Sequence, residues 1–274
     1  MKKIFSDKRA YFAVFGAIGG LLSAFAGQVT GVQSYAFSSW VIGTGFDGLF
    51  IAALLALGQG LYVGKSFDVR GFSRSALIGG TGGIIGGLVA LYGGYPLAAI
   101  FGGGGDVGRF IGWTIGGLVV GFAISNVVPN LKASTASVAG AIGGFVGCGL
   151  MYIVSMAVGI ATTGAAIGLA IAFAETVFRS AWLEVTIQPR GLSLDKERTL
   201  TVTLGKAPVL FGCGSDADVR LAEMEGAKAN FAKVSLDGSR VMLQDLITER
   251  NRMLSVNETF EISNAKVAVR SKLG

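Results

Sequence analysis

Residues 75–94 read Ser-Ala-Leu-Ile-Gly-Gly-Thr-Gly-Gly-Ile-Ile-Gly-Gly-Leu-Val-Ala-Leu-Tyr-Gly-Gly, and eight of these twenty are glycine. In an exposed helix each glycine costs about 1 kcal/mol relative to alanine, so this segment would melt in water. In hydrocarbon the balance reverses. An unmade backbone hydrogen bond there costs several kcal/mol and keeps the chain helical whatever its propensity. Glycine then contributes closeness. Gly79, Gly83 and Gly87 fall four apart, as do Gly82 and Gly86, and such a face lets a neighbouring backbone approach. The segment is expected to be a transmembrane helix packed through small residues.

Composition extends this expectation to most of the chain. Of 274 residues, 51% are hydrophobic and only 15% charged, against about 25% charged in a typical soluble domain. Mean hydropathy is +0.62. The average hides a division: residues 1–183 hold ten Lys/Arg and five Asp/Glu, whereas 184–274 hold thirteen and twelve. An apolar, basic-flanked domain at 1–182 is therefore followed by a charge-balanced domain at 183–274. The basic excess sits at membrane flanks and gives no reason to expect nucleic-acid binding. Two cysteines, Cys148 and Cys213, and no histidine argue against a disulfide framework or a metal centre. The commonest general base is missing too, so neither an enzyme nor a cofactor is expected.

Six spans of about 20 apolar residues are expected near 10–29, 45–64, 74–94, 108–128, 134–156 and 162–182. The last two form one long apolar run, with a turn expected at 159–163. Lys2, Lys3, Lys8, Arg9, Lys65, Arg70, Arg74, Lys132 and Arg179 fall on one side of these spans and only Arg109 on the other. The positive-inside rule then puts both termini in the cytoplasm, in a bacterial inner membrane. A motif recurs: Gly16-x-x-Gly19-Gly20, Gly79-x-x-Gly82-Gly83 and Gly140-x-x-Gly143-Gly144, with Ser23, Gly86 and Gly147 three residues after each pair. Its period of about sixty residues reads as three parallel hairpin repeats forming an α-helical membrane bundle. Gly16, Gly20, Gly79, Gly83, Gly87, Gly140 and Gly144 are the expected packing positions.

After Trp182 the pattern changes. Residues 183–189, 199–204, 240–246 and 266–270 alternate with period two between polar turns, as the strands of an all-β sandwich do. Within this region Phe211-Gly-Cys-Gly-Ser-Asp-Ala-Asp-Val-Arg-Leu221, a later Gln244-Asp245-Leu246 and Asn251 resemble the signature of forkhead-associated (FHA) domains. That resemblance covers roughly 184–270. It implies an FHA-like fold and a protein-binding end built from Gly212, Cys213, Gly214, Ser215, Lys228, Asn230, Arg250 and Asn251. FHA domains read phosphothreonine through an Arg after the glycine and a Ser in a Ser-x-x-His element. Here Cys213 stands in the Arg place, and Lys228-Ala-Asn-Phe231 lacks both Ser and His. A phosphate needs charge-assisted donors in a fixed fork, which a thiol cannot supply. The combination also looks like bacterial membrane proteins associated with von Willebrand A-type partners.

Other features have structural readings. Gly60-Leu-Tyr-Val-Gly64-Lys65-Ser66 has three residues between its glycines where a phosphate loop needs four, and reads as a helix end. Gly102–Gly105 reads as an outer loop. Asp47 and Asp106 are expected at the membrane interface. Glu175 lies deeper, four residues before Arg179, and the two read as an interfacial pair. Gln28, Gln59 and Asn126 are expected to bond across helices. The whole reads as a non-enzymatic membrane scaffold in the lipid bilayer, presenting an FHA-like module to protein partners, with self-association into a homo-oligomer left open. The alternative is a transporter or channel with a regulatory β-module.

Overall fold

The computed structural model describes residues 7–31, 37–63, 69–100, 105–126, 128, 130–153, 156–189, 197–205, 207–214, 216–223, 229–238 and 240–272. Among the described residues, seven α-helices precede nine strands: α1 (Lys8–Val29), α2 (Phe37–Val63), α3 (Val69–Val89), α4 (Tyr95–Ile100), α5 (Gly105–Ser125), α6 (Ala133–Met151) and α7 (Met156–Phe178). Six of these are long and apolar enough to cross a membrane. The chain divides into two compact units. The helical unit takes in Arg9–Gln59 and Val69–Thr176; the β unit takes in Met1–Lys8, Gly60–Asp68 and Val177–Gly274.

In the helical unit, glycine decides which helices meet. A Cβ built on Gly16 would overlap the carbonyl of Gly164, and one on Gly164 would overlap the carbonyl of Gly16. Gly79 and Gly48 stand in the same reciprocal relation, as do Gly140 and Gly117. One turn on, Gly20, Gly83 and Gly144 press against the backbones of Ile160, Thr44 and Trp113. The middle glycine of each motif faces a different neighbour: Gly19 meets the backbone of Phe50 and Ile51, Gly82 meets Val119, and Gly143 meets Ile167. Helices α1, α3 and α6 are thus each wedged between two others, and the contacts close a ring in the order α1, α2, α3, α5, α6, α7. Their outward faces are apolar, with Phe25, Leu77, Ile85 and Phe145 about half exposed or more. The interior is filled from α2, α5 and α7 by Ile51, Leu55, Val120, Ile124, Ile167 and Ile171, with Phe12 of α1.

Three helix boundaries differ from expectation. The turn expected at 159–163 lies inside α7, and the break comes earlier, at Tyr152 and Ile153, whose N–H groups bond back to Gly149 and Leu150. Thr162 and Thr163 sit comfortably in the helix because both hydroxyls donate to the Gly159 carbonyl. The third apolar segment passes through one π-helical stretch at Ala90–Gly94 into α4. The last helix stops at Phe178, and the first strand begins at Ala181, two residues before the expected boundary at 183.

The strands are β1 (Ala181–Ile187), β2 (Arg198–Leu204), β3 (Val209–Gly212), β4 (Val219–Arg220), β5 (Asn230–Asp237), β6 (Arg240–Asp245), β7 (Asn251–Leu254), β8 (Thr259–Ile262) and β9 (Ala265–Ser271). They form two sheets, ordered β2-β1-β9-β8 and β4-β3-β5-β6-β7. Alternate residues are buried, as Leu183, Val185, Leu200, Val202, Val209, Phe211, Val234, Val267 and Val269 show, and each such side chain contributes about 1.5–3 kcal/mol. This unit also includes the end of α2. Arg198 of β2 donates to the carbonyls of Leu61 and Tyr62, acceptors that the helix end leaves unpaired, and the Thr201 N–H donates to the Tyr62 hydroxyl at 3.1 Å.

The glycine contacts make a direct prediction. Even one methyl at Gly83 would overlap the Thr44 carbonyl, so Gly83→Ala should destabilise by about 3 kcal/mol or more. Gly116 has nothing within 4 Å of its would-be Cβ, and Gly116→Ala should be close to neutral. Thermal unfolding in detergent compares the two; equal melting temperatures would count against backbone packing.

Candidate functional site

The residues expected to bind a partner come together at one end of the five-stranded sheet. Strand β3 ends at Gly212, which pairs with Asn230 at the start of β5. Ala232, two residues along β5, pairs with Asp245 at the end of β6, and Gln244 pairs with Asn251 at the start of β7. Gly212, Asn230, Asp245 and Asn251 therefore share one edge, with the intervening loops beyond it. Ser215 and Lys228 lie outside the described residues.

Main-chain bonds shape this end. The N–H groups of Cys213 and Gly214 both donate to the Ala229 carbonyl, at 2.8 and 3.1 Å. The Cys213 thiol points at the same oxygen, 3.6 Å away. A Cβ at Gly212 would overlap that carbonyl as well, so the β3 end needs glycine to reach β5. Asn230 Nδ2 donates to Asp216 Oδ2 at 2.8 Å, which ties the loop back to β5. Across the edge, Asp245 Oδ1 accepts from the N–H groups of Ile247 and Thr248 at 2.8 and 3.1 Å. This closes the turn in which Glu249 takes a positive φ of 59°. Arg250 and Asn251 are exposed beside it, while Arg252 pairs with Glu258 at 3.1 Å.

Burial pushes the Asp245 carboxyl up, but the Thr248 backbone and hydroxyl, the Ile247 N–H and the Arg250 charge outweigh it and hold it below its ordinary value.

The polar residues of the helical segments are distributed otherwise than expected. Asp47 is buried within the bundle, 8% exposed, and the Ser23 hydroxyl of α1 donates to its Oδ1. Asp106, by contrast, is exposed in the first turn of α5 and accepts from the Tyr152 hydroxyl at 2.8 Å. Gln28 is exposed. The Asn126 amide donates to Phe122 of its own helix at 2.9 Å, not across helices. Gln59 and Glu175 are buried, and the Arg179 guanidinium lies 4.3 Å from the Trp182 ring centre.

Asp47 and Thr44 line a cavity with Gly48, Ile51, Gly83, Arg109, Gly112, Trp113, Gly116, Gly117, Val120 and Ile167. About 20 Å³ of it is open to the centre of a water-sized sphere, enough for one such occupant. One signal in the sequence pointed here. The small residue three after each glycine pair is Gly86 or Gly147 in two motifs and Ser23 in the other.

No family model and no curated protein matches the chain. Among solved structures, Mycobacterium tuberculosis EmbR in complex with a low-affinity phosphopeptide is similar at 12% identity and a TM-score of 0.24, covering 97% of this chain and 72% of that one. A likeness this loose carries no argument about fold or ligand.

The Asp245 turn predicts a pH dependence. A carboxyl held low in the folded state adds stability above its unfolded value, and that stability is lost as pH falls through its folded value. Melting of the full-length protein should weaken as pH drops from the ordinary value of 3.8 towards the lower folded one. Asp245→Asn should flatten that part of the curve, and an unchanged slope would show that the turn is indifferent to the charge.

Proposed function

We propose that the protein is a non-enzymatic integral membrane protein whose helical unit anchors a β unit that docks protein partners at the loop end of its five-stranded sheet. One observation carries the membrane reading: the ring's outer face is apolar, and what polar residues its helices carry are in good part buried within the apolar interior. Phe25, Leu77, Ile85 and Phe145 are exposed, whereas Ser23, Asp47, Gln59, Thr163 and Glu175 are buried. A water-soluble bundle would turn its charged and polar residues outward instead. The three glycine motifs fit three hairpin repeats, and the distribution of Lys and Arg fits both termini in the cytoplasm of a bacterial inner membrane.

The docking reading rests on the shared edge that gathers Gly212, Cys213, Asn230, Arg250 and Asn251. It fits the forkhead-associated resemblance without its phosphothreonine chemistry. Where that family places a guanidinium, this chain has a thiol turned onto the Ala229 carbonyl. A charge-assisted hydrogen bond contributes about 1.5–3 kcal/mol, and losing two would weaken phosphopeptide binding by roughly two to four decades. A partner of the von Willebrand A type is the one the resemblance suggests. Transport is a second reading, favoured by the cavity at Asp47 and opposed by the apolar side chains that fill the bundle interior.

Two measurements test this. Reporter fusions at Gly274 and within residues 30–44 should report opposite sides of the membrane; the same side for both would defeat the topology. Full-length protein in lipid nanodiscs, titrated with a phosphothreonine peptide library and its unphosphorylated twin, should not distinguish the two. Micromolar binding confined to the phosphorylated set would overturn the docking chemistry.

A further inference from the structure

The ring contains three places built alike, and only one of them carries a charge. Counted from the three reciprocal glycine contacts, Ser23 and Asp47 correspond to Gly86 and Gly116, and to Gly147 and Thr163. Gly86 lies against Gly112 and Gly116, and Gly147 lies against Thr163. In the remaining place Ser23 Oγ donates to Asp47. The frame is thus closed twice without a carboxyl group, so packing does not account for Asp47. A buried carboxylate is costly unless something compensates its charge.

No Lys or Arg pairs with Asp47 among the described residues. Of the elements around it, α1 brings Ser23, α3 brings Gly83 and α7 brings Ile167. The lining from α5 includes Arg109, which is exposed and is the one other charged residue at the cavity. A metal ion would need more. Divalent cations take about four to eight ligands, mostly oxygen for the hard ones. Here Asp47 and Thr44 bring the lining's only side-chain oxygens, and the Thr44 hydroxyl is already given to the Val41 carbonyl at 2.9 Å. A proton needs one oxygen, and Oδ2 of Asp47 is not the atom that Ser23 engages.

The cavity is closed on one side. Ile51, Val120 and Ile167 line it. Four residues further along the same helices come Leu55, Ile124 and Ile171, all fully buried. After another four come Gln59 and Glu175, also buried, with Val128 buried just past the end of α5. Asp47 and Gln59 are twelve residues apart, about 18 Å along α2, with two apolar layers between them.

We propose that Asp47, poised by Ser23, is a reversible proton-binding site loaded through the cavity from the end of the bundle where α2 and α5 begin. The proton adds to Oδ2 from water in the cavity and returns to it, while Ser23 Oγ continues to donate to Oδ1. The site passes between −1 and neutral. The layers of Ile51 and Leu55 block onward transfer to Gln59 and Glu175.

The test is labelling by dicyclohexylcarbodiimide, an apolar electrophile to which protonated carboxyl groups add to form an acylurea, on full-length protein in lipid vesicles with peptide mass spectrometry as the readout. Asp47 should be modified, faster as pH is lowered, while exposed Asp106 should be modified much less. Ser23→Gly, which places in this position the residue found at 86 and 147, removes the hydroxyl that favours the ionised form. It should label roughly tenfold or more faster at the same pH. An unmodified Asp47, a rate that ignores pH, or an unchanged rate in Ser23→Gly would overturn the proposal. So would labelling suppressed by sodium or lithium at constant pH, which would mean that a metal ion holds the site.

Discussion

Three pairs of glycines, 16 with 164, 48 with 79 and 117 with 140, each put one backbone against another, and the helical unit depends on them. A methyl group at any of the six positions would overlap a carbonyl. In water this design would fail, because glycine lowers helix propensity and there would be no apolar side chain to bury at the contact. In an apolar medium the helices cannot unravel, and close approach gains dispersion contacts along the whole crossing. The same contacts govern the interior. With α1, α3 and α6 wedged tightly between their neighbours, the space left inside is small, and it is filled by Ile51, Leu55, Val120, Ile124, Ile167 and Ile171. It opens where α5 offers Gly112, Gly116 and Gly117 in place of side chains.

The resulting frame is more regular than its contents. Glycine fixes where the helices cross, so the positions around each crossing are free to differ. They do: Asp47, Gly116 and Thr163 occupy corresponding places, as do Gln59, Val128 and Glu175. Polar groups therefore enter a packed interior without disturbing the crossings, although the first polar level sits directly before the glycines that make them.

Much of this was legible in the sequence because glycine spacing and hydropathy are local signals. The six long helices, the faces of Gly79 and Gly83, and the period-two strands followed from them. What escaped was decided by tertiary contacts. Hydropathy could not place the turn between α6 and α7, since the threonines that looked like breakers bond to the Gly159 carbonyl inside the helix. Hydropathy placed Asp47 near the end of an apolar run but could not show what it meets: the Ser23 hydroxyl, twenty-four residues away, and a cavity lined by glycines of α3 and α5. Asn126 looked like a bridge between helices, yet its own helix offered a nearer carbonyl.

At the loop end of the β unit the division of labour is similar. The bonds that hold its shape come mostly from the main chain: two N–H groups on the Ala229 carbonyl, two more on the Asp245 carboxylate, and the close approach at Gly212. None of these depends on what side chain follows Gly212. A thiol can therefore stand at 213 without loss of the loop, and its contact with Ala229 adds to a carbonyl that already accepts two hydrogen bonds. Side chains that would read a charged ligand can be exchanged while the edge keeps its geometry. The shape of this edge is therefore set by the main chain, and the side chains it displays can vary without disturbing it.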